Sequence, residues 1–163
     1  MAKYSDIKGF TVQTLSSDTA ASQAAAGSWS SGGSLNSARR GLAGSGSTTA
    51  ALAFGGTVTA SSALTEQYNG SSWSEEDDLN TARRNLASSV NGSTTASSAF
   101  AGYSTANSAL HEQYNGSSWS EEGDLTIARN ESGGCGTTTA ALSFGGETPL
   151  TPGSNAHYLI RHQ

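Results

Sequence analysis

An all-β chain of about three four-stranded repeats is the fold class the sequence predicts, and three observations predict it. Tryptophans recur at Trp29, Trp73 and Trp119, with spacings of 44 and 46 residues. A Leu-to-Arg element follows each one at the same spacings: Leu35…Arg39, Leu79…Arg83 and Leu125…Arg129. The strings TTAALAFGG, TTASSAFAG and TTAALSFGG begin at Thr48, Thr94 and Thr138. Three independent landmarks on one period identify internal repeats.

Within one period four short strands are expected. The first follows the arginine (GLAGSG, NLASSV, ESGGCG) and consists of very small residues, so that backbones approach closely. The second is the TTAALAF type, closed by glycines. The third is ALTEQY or ALHEQY, and the fourth is SSWSEE. Asn69-Gly70 and Asn115-Gly116 separate the third and fourth strands, and Asn-Gly predicts a tight hairpin with positive φ at both turn residues. The segment LNTARRNLA has some helical pattern, but its recurrence places it at the connection between repeats. The repeats run about 34–76, 78–122 and 124–163, with 26–33 as a closing strand, inside a repeat domain of 24–163. Residues 1–23 stand outside the period. They carry Ile7, Phe10, Val12 and Leu15 and read as an extended arm that anchors on a partner.

The composition suits such a fold. Leu, Ile, Val and Phe number only 22 of 163 residues, too few for a large aliphatic core. The net charge is −5, so the chain does not strongly repel itself. Twenty Gly, two Pro and abundant Ser, Thr, Ala and Asn fit close-packed β structure with many turns. A single cysteine, Cys135, excludes an internal disulfide and a cysteine-built metal cluster. No apolar run approaches the roughly 20 residues of a membrane span, so no membrane insertion is expected. The N-terminus lacks an apolar signal core, so export by an ordinary secretion signal is not expected. The acidic balance removes the electrostatic case for nucleic-acid binding.

Four strands per period, a Gly-Gly after the second, then Tyr, then Trp, then a polar loop ending in Arg: this pattern resembles the kelch repeat. The resemblance implies one β-propeller blade per period. It also implies that Gly55-Gly56 and Gly145-Gly146 make tight turns and that Tyr68, Tyr114, Trp73 and Trp119 pack between blades. Ala101 replaces the first of these glycines in the middle repeat, so an altered turn is expected there. More specifically, YNGSSWSEEDDLNTARRNLA, TTAALAFGG and the leader AKYSDIKGFTVQTLSSDT are similar to repeat proteins of virions and tail fibres encoded by marine bacteriophages, especially those of cyanobacteria. That similarity implies a non-enzymatic particle protein without cofactors, assembled in the host cytoplasm and anchored through its N-terminus. Its implied partners are other copies of itself, other virion proteins and a host-surface glycan or protein. A soluble kelch-type interaction module and a carbohydrate-active enzyme are the alternatives.

Propellers usually have 4–8 blades, and this chain supplies about three. The last repeat has NAHYLIRHQ, with Tyr158 in the place of Tyr68 and Tyr114, but no Trp-bearing fourth strand. Trp29, at the front, has no preceding third strand. The missing strand is thus expected to come from the front of the same chain or of another, with open edges covered by a neighbour.

Each candidate site has a plainer reading. Glu75–Asp78 (EEDD) and Glu121–Asp124 (EEGD) offer oxygen ligands to Ca²⁺ or paired carboxylates for glycoside hydrolysis. Their recurrence, and the lack of Asp-x-Asp-x-Asp spacing, favour solvated loops, and no metal site is expected. Arg39, Arg83 and Arg129 are expected to pair with an acid or carbonyl at a repeat junction rather than grip a ligand. Arg40 and Arg84, replaced by Asn130 in the third repeat, are expected at the surface. His111, His157 and His162 lack metal-ligand spacing, and His111, in the place of Thr65, is expected at the surface. Cys135 falls where other repeats have Ser45 and Ser89 and is expected as a small buried filler. The Asn-Gly-Ser triplets at Asn69, Asn91 and Asn115 and Asn130-Glu-Ser read as turns rather than glycosylation sites. The tryptophans are expected inside the structure rather than as sugar-stacking platforms.

Overall fold

The computed structural model describes residues 29–149 and the backbone of residues 159–161. Residues Met1–Ser31 and Gly32–Gln163 form two separate compact units. In the first, the described Trp29 is fully exposed and residues 29–31 form no strand. Residues 32 and 33, in the second unit, form none either, so the described part of the expected closing strand 26–33 is not strand. The anchoring arm with Ile7, Phe10 and Val12 lies outside the described residues, as do His157, Tyr158 and His162.

The second unit is all-β, with no helix among the described residues. Strands β1 (Ala43–Gly46), β2 (Ala51–Phe54), β3 (Thr65–Tyr68) and β4 (Trp73–Glu75) form one antiparallel meander in sequence order. Strands β5 (Ala87–Ser88), β6 (Ser97–Phe100), β7 (His111–Tyr114) and β8 (Trp119–Glu121) repeat it. In the third sheet β10 (Ala140–Phe144) pairs with β9 (Gly133–Thr137) on one side and β11 (Leu159–Arg161) on the other. No sheet is closed on itself. The register is conserved from sheet to sheet: Phe54 faces Thr65 and Tyr68 faces Trp73, as Phe100 faces His111 and Tyr114 faces Trp119.

The first strands of successive sheets lie side by side, β1 against β5 and β5 against β9. Their small residues make this approach feasible. A Cβ on Gly134 would come within 2.7 Å of the Phe100 ring in the neighbouring sheet. The middle sheet is covered on both sides, so every residue of β5 and β6 is buried, serines included. The Ser98 amide accepts no loss on burial: it donates to Ser89 Oγ at 3.0 Å.

Three details depart from expectation. The Asn-Gly hairpins are four-residue loops, 69–72 and 115–118, because Tyr68 pairs directly with Trp73 and Tyr114 with Trp119. Only Gly70 and Gly116 take positive φ; Asn69 Oδ1 instead accepts the N–H groups of Ser71 and Ser72, and Asn115 Oδ1 those of Ser117 and Ser118, at 2.9–3.0 Å. An asparagine that caps the loop with its own side chain has no need of the left-handed region. In the last sheet Phe144 faces Leu159, so Leu159 takes the place of Thr65 and Ile160 that of Glu66. The strand that pairs there is Leu159–Arg161, and Tyr158 lies outside the described residues. Leu-Ile suits a paired strand better than Asn-Ala-His does. Finally, Ala101 keeps the turn of its repeat: its φ of 61° matches the 67° of Gly55. An alanine held there carries backbone strain of about 1–2 kcal/mol.

The turn glycines make a graded prediction. At Gly55 (φ 67°) a Cβ would lie 2.6 Å from Leu86 Cδ2 and 2.7 Å from the Arg83 carbonyl, whereas at Gly145 (φ 66°) no described atom lies within 4 Å. Gly145→Ala should therefore cost only the left-handed strain, about 1 kcal/mol. Gly55→Ala should add overpacking for a total of about 3 kcal/mol. Urea unfolding of the two variants measures the difference; equal losses would refute the packing argument.

Candidate functional site

The chemistry-bearing residues converge under the outer hairpin of each of the first two sheets. Arg83 leaves the connection after β4 and passes beneath the second sheet. There its Nη2 donates to Glu112 Oε1 at 2.7 Å, and its Nη1 donates to the Ala101 and Leu110 carbonyls at 2.8 and 2.9 Å. Both side chains are essentially without solvent contact. The other glutamate oxygen accepts the Asn80 amide at 2.7 Å, and Asn80 Nδ2 donates to the Trp119 carbonyl at 3.1 Å. One arginine thus ties the connection to the turn after β6, the start of β7 and, through Glu112 and Asn80, to β8.

The first sheet repeats this group by group. Arg39 Nη2 donates to Glu66 Oε1 at 2.8 Å, and its Nη1 donates to the Gly55 and Leu64 carbonyls. The Asn36 amide donates to Glu66 Oε2 at 2.6 Å, and Asn36 Nδ2 to the Trp73 carbonyl at 3.2 Å. In the third sheet Arg129 is again fully buried and donates to the Gly145 carbonyl at 2.7 Å, while Ile160 takes the glutamate's register position. Burial pushes the Arg83 guanidinium below its ordinary range, and the Glu112 carboxylate opposes that shift. Burial likewise raises the Tyr114 phenol, helped by the negative charges of Glu76 and Asp77.

The seam between the first two sheets is mixed. The Phe54 ring meets Trp119 edge-on at 4.9 Å, and the Trp119 indole N–H donates to Thr65 Oγ1 at 3.1 Å. Ser45 and Ser97 hydroxyls pair, and Ser88 Oγ donates to the Gly44 carbonyl at 2.7 Å. Outside this seam lies an open polar cleft of about 350 Å³ lined by Arg40, Gly41, Thr57, Thr59, Arg84 and Asn85.

The expected site residues fall as follows. Arg39 and Arg83 pair with an acid and with carbonyls, as the repeat junction required. Arg40 is exposed, whereas Arg84 is half-buried, 4.4 Å above the Tyr103 ring and bonded to Ser61. Trp119 and Tyr114 are buried. Trp73 and Tyr68 are half-buried and stacked at 5.1 Å. Trp29 is exposed rather than packed inside.

His111 overturns its surface expectation: it is 4% exposed, because β7 is a middle strand whose first residue turns inward, and its ring lies edge-on to Phe100. Cys135 faces Leu142 just as Ser45 faces Leu52, but it is half-buried rather than buried, since the last sheet has a neighbour on one side among the described residues. In the acidic strings Asp78 and Asp124 accept the first amides of β3 and β7, at 3.0 and 3.3 Å. The remaining acids are mostly exposed, and no group of three His, Cys, Asp or Glu among the described residues is placed to hold a metal ion.

Glu66 and Glu112 were the residues that strand patterning concealed. Their signal was present: a glutamate 27 residues after Arg39 and 29 after Arg83, in the same ALxEQY string of each repeat. The chain matches no known protein family, and comparison with curated proteins finds no match.

Removing one partner of a buried ion pair leaves the other charge without compensation, at a cost of about 3–5 kcal/mol. Glu112→Ala should destabilise by that amount in chemical denaturation. Replacing both members by apolar residues, Arg83→Met with Glu112→Leu, should not restore stability, because the Ala101 carbonyl and Asn80 amide would lose their partners. A double variant as stable as the parent would show that these backbone bonds contribute little.

Proposed function

We propose that this chain is a non-enzymatic structural component of a bacteriophage particle, a tail fibre or appendage, whose sheets act as successive blades of a β-propeller. The observation that carries this reading is the use of the recurring polar residues. Arginine, glutamate, asparagine and aspartate recur with the period, and each is consumed by the same internal bond in successive sheets. A unique catalytic centre has no use for periodic residues; a rigid scaffold does. The resemblance of the repeat and leader to phage virion proteins supplies the setting, with the N-terminal arm as the attachment to the particle and other virion proteins as partners. The surface that results is rich in Ser and Thr, and the arginine-lined cleft is the place where an acidic host-surface group would sit.

Mass spectrometry of purified particles tests this reading. The chain should appear in particles banded to purity, in fixed stoichiometry to the major structural proteins. Recovery only from the soluble lysate would favour a free interaction module instead.

A further inference from the structure

The two ends of the sheet stack are complementary, because each carries one half of a contact made twice inside the chain. At the first internal junction the Gly56 amide donates to the Arg83 carbonyl at 2.8 Å and the Asn85 amide to the Gly41 carbonyl at 2.7 Å. At the second, the Gly102 amide donates to the Arg129 carbonyl at 2.9 Å and the Glu131 amide to the Asn85 carbonyl at 2.9 Å. Gly41, Asn85 and Glu131 share the left-handed conformation, with φ of 62°, 52° and 55°, so the relay is geometrically the same at each step.

The relay continues past neither end among the described residues. At the rear end, the counterpart of Gly56 and Gly102 is Gly146, and the next acceptor in the relay is the Glu131 carbonyl. At the front end, the counterparts are the Arg39 carbonyl and the Gly41 amide. No described residue bonds to any of these four groups.

The aromatic contact is divided in the same way. Phe54 is wholly buried beneath Trp119 of the following sheet, whereas its equivalent Phe144, on the last sheet, is 44% exposed. Trp119 gives its indole N–H to the preceding sheet, whereas Trp73, on the first sheet, turns its N–H to the Gly33 carbonyl at 3.0 Å and is only half-buried.

We infer that a second copy of this chain adds head to tail, seating its Trp73 on Phe144 of the first copy and joining its Arg39 carbonyl and Gly41 amide to the Gly146 amide and Glu131 carbonyl. The occupant is another copy because the interface continues one the chain already makes between its own sheets, with the same backbone donors and acceptors and the same aromatic pair, although Leu159 stands where Thr65 accepts the indole N–H. Such a contact is heterologous: front meets rear, so it propagates until it closes into a ring. Two copies bring six sheets, within the range of closed propellers. This inference rests on the blade reading above, but it concerns the free protein and not its place in a particle.

Light scattering and sedimentation equilibrium of the full chain decide it. The expected mass is at least twice 16.5 kDa. Phe144→Ala and Phe144→Glu should both reduce it to the monomer with an unchanged far-ultraviolet spectrum, and so should Trp73→Ala. An equimolar mixture of Phe144→Glu and Trp73→Ala should then recover a dimer, since each retains the face the other has lost.

A monomeric parent chain would overturn the inference, whichever of its own segments covers Phe144. So would a Phe144→Glu variant that associates like the parent, or a mixture that stays monomeric. Absence from purified particles would leave this result untouched, and a monomeric mass would leave the particle assignment untouched.

Discussion

A buried guanidinium with a buried carboxylate is the constraint on which the rest of each of the first two sheets depends. The sheets have few large apolar residues, so area burial at about 25 cal/mol per Å² has little to act on beyond Leu52, Phe54, Leu79, Leu86, Phe100, Tyr114 and Trp119. Arg39 and Arg83 supply what the hydrocarbon lacks. Each is a planar donor that reaches two carbonyls and a glutamate at once, a geometry that a lysine cannot reproduce. The glutamate in turn holds the amide of the incoming connection, so one group of side chains fixes strand order, turn and junction together.

That arrangement also explains the poverty of the first strands. Once the outer hairpins are tied from below, the inner strands need only approach one another, and small residues let them. Gly134 against Phe100, Ser88 against Gly44 and Ser45 against Ser97 are contacts in which any larger side chain would separate the sheets. Hydrogen bonds from Ser88 to a carbonyl and between Ser45 and Ser97 satisfy part of what the close approach buries, as burial of polar groups demands, while Ser98 Oγ has no partner among the described residues. The middle sheet, with neighbours on both sides, is the most completely buried; the outer sheets leave Phe144 and Trp73 in partial contact with solvent.

Much of this was legible in the residues and some was not. The period, the four strands of each full repeat and the junction role of Arg39 and Arg83 could be read directly, because they repeat and repetition marks architecture. The partner glutamates were not read, since a charged residue in a strand ordinarily faces water and nothing local says which face is covered. His111 was misplaced for the same reason: a substitution for Thr65 looks superficial until the strand is seen to begin inside. The hairpin turns were misread because Asn-Gly has two uses, and the choice between a two-residue turn and a side-chain-capped loop depends on where Tyr68 and Trp73 pair.

By itself the sequence determined that the chain is periodic, all-β, turn-rich and poor in core residues, since period, glycine placement and composition are local properties that every copy of the repeat states again. It also determined which residues differ between repeats. Only the tertiary structure decided what those residues meet. Which glutamate an arginine finds, which carbonyl a glycine amide reaches and which aromatic ring stays open depend on contacts between residues 16 to 54 positions apart. The stack of sheets, and not the string, brings them within bonding distance.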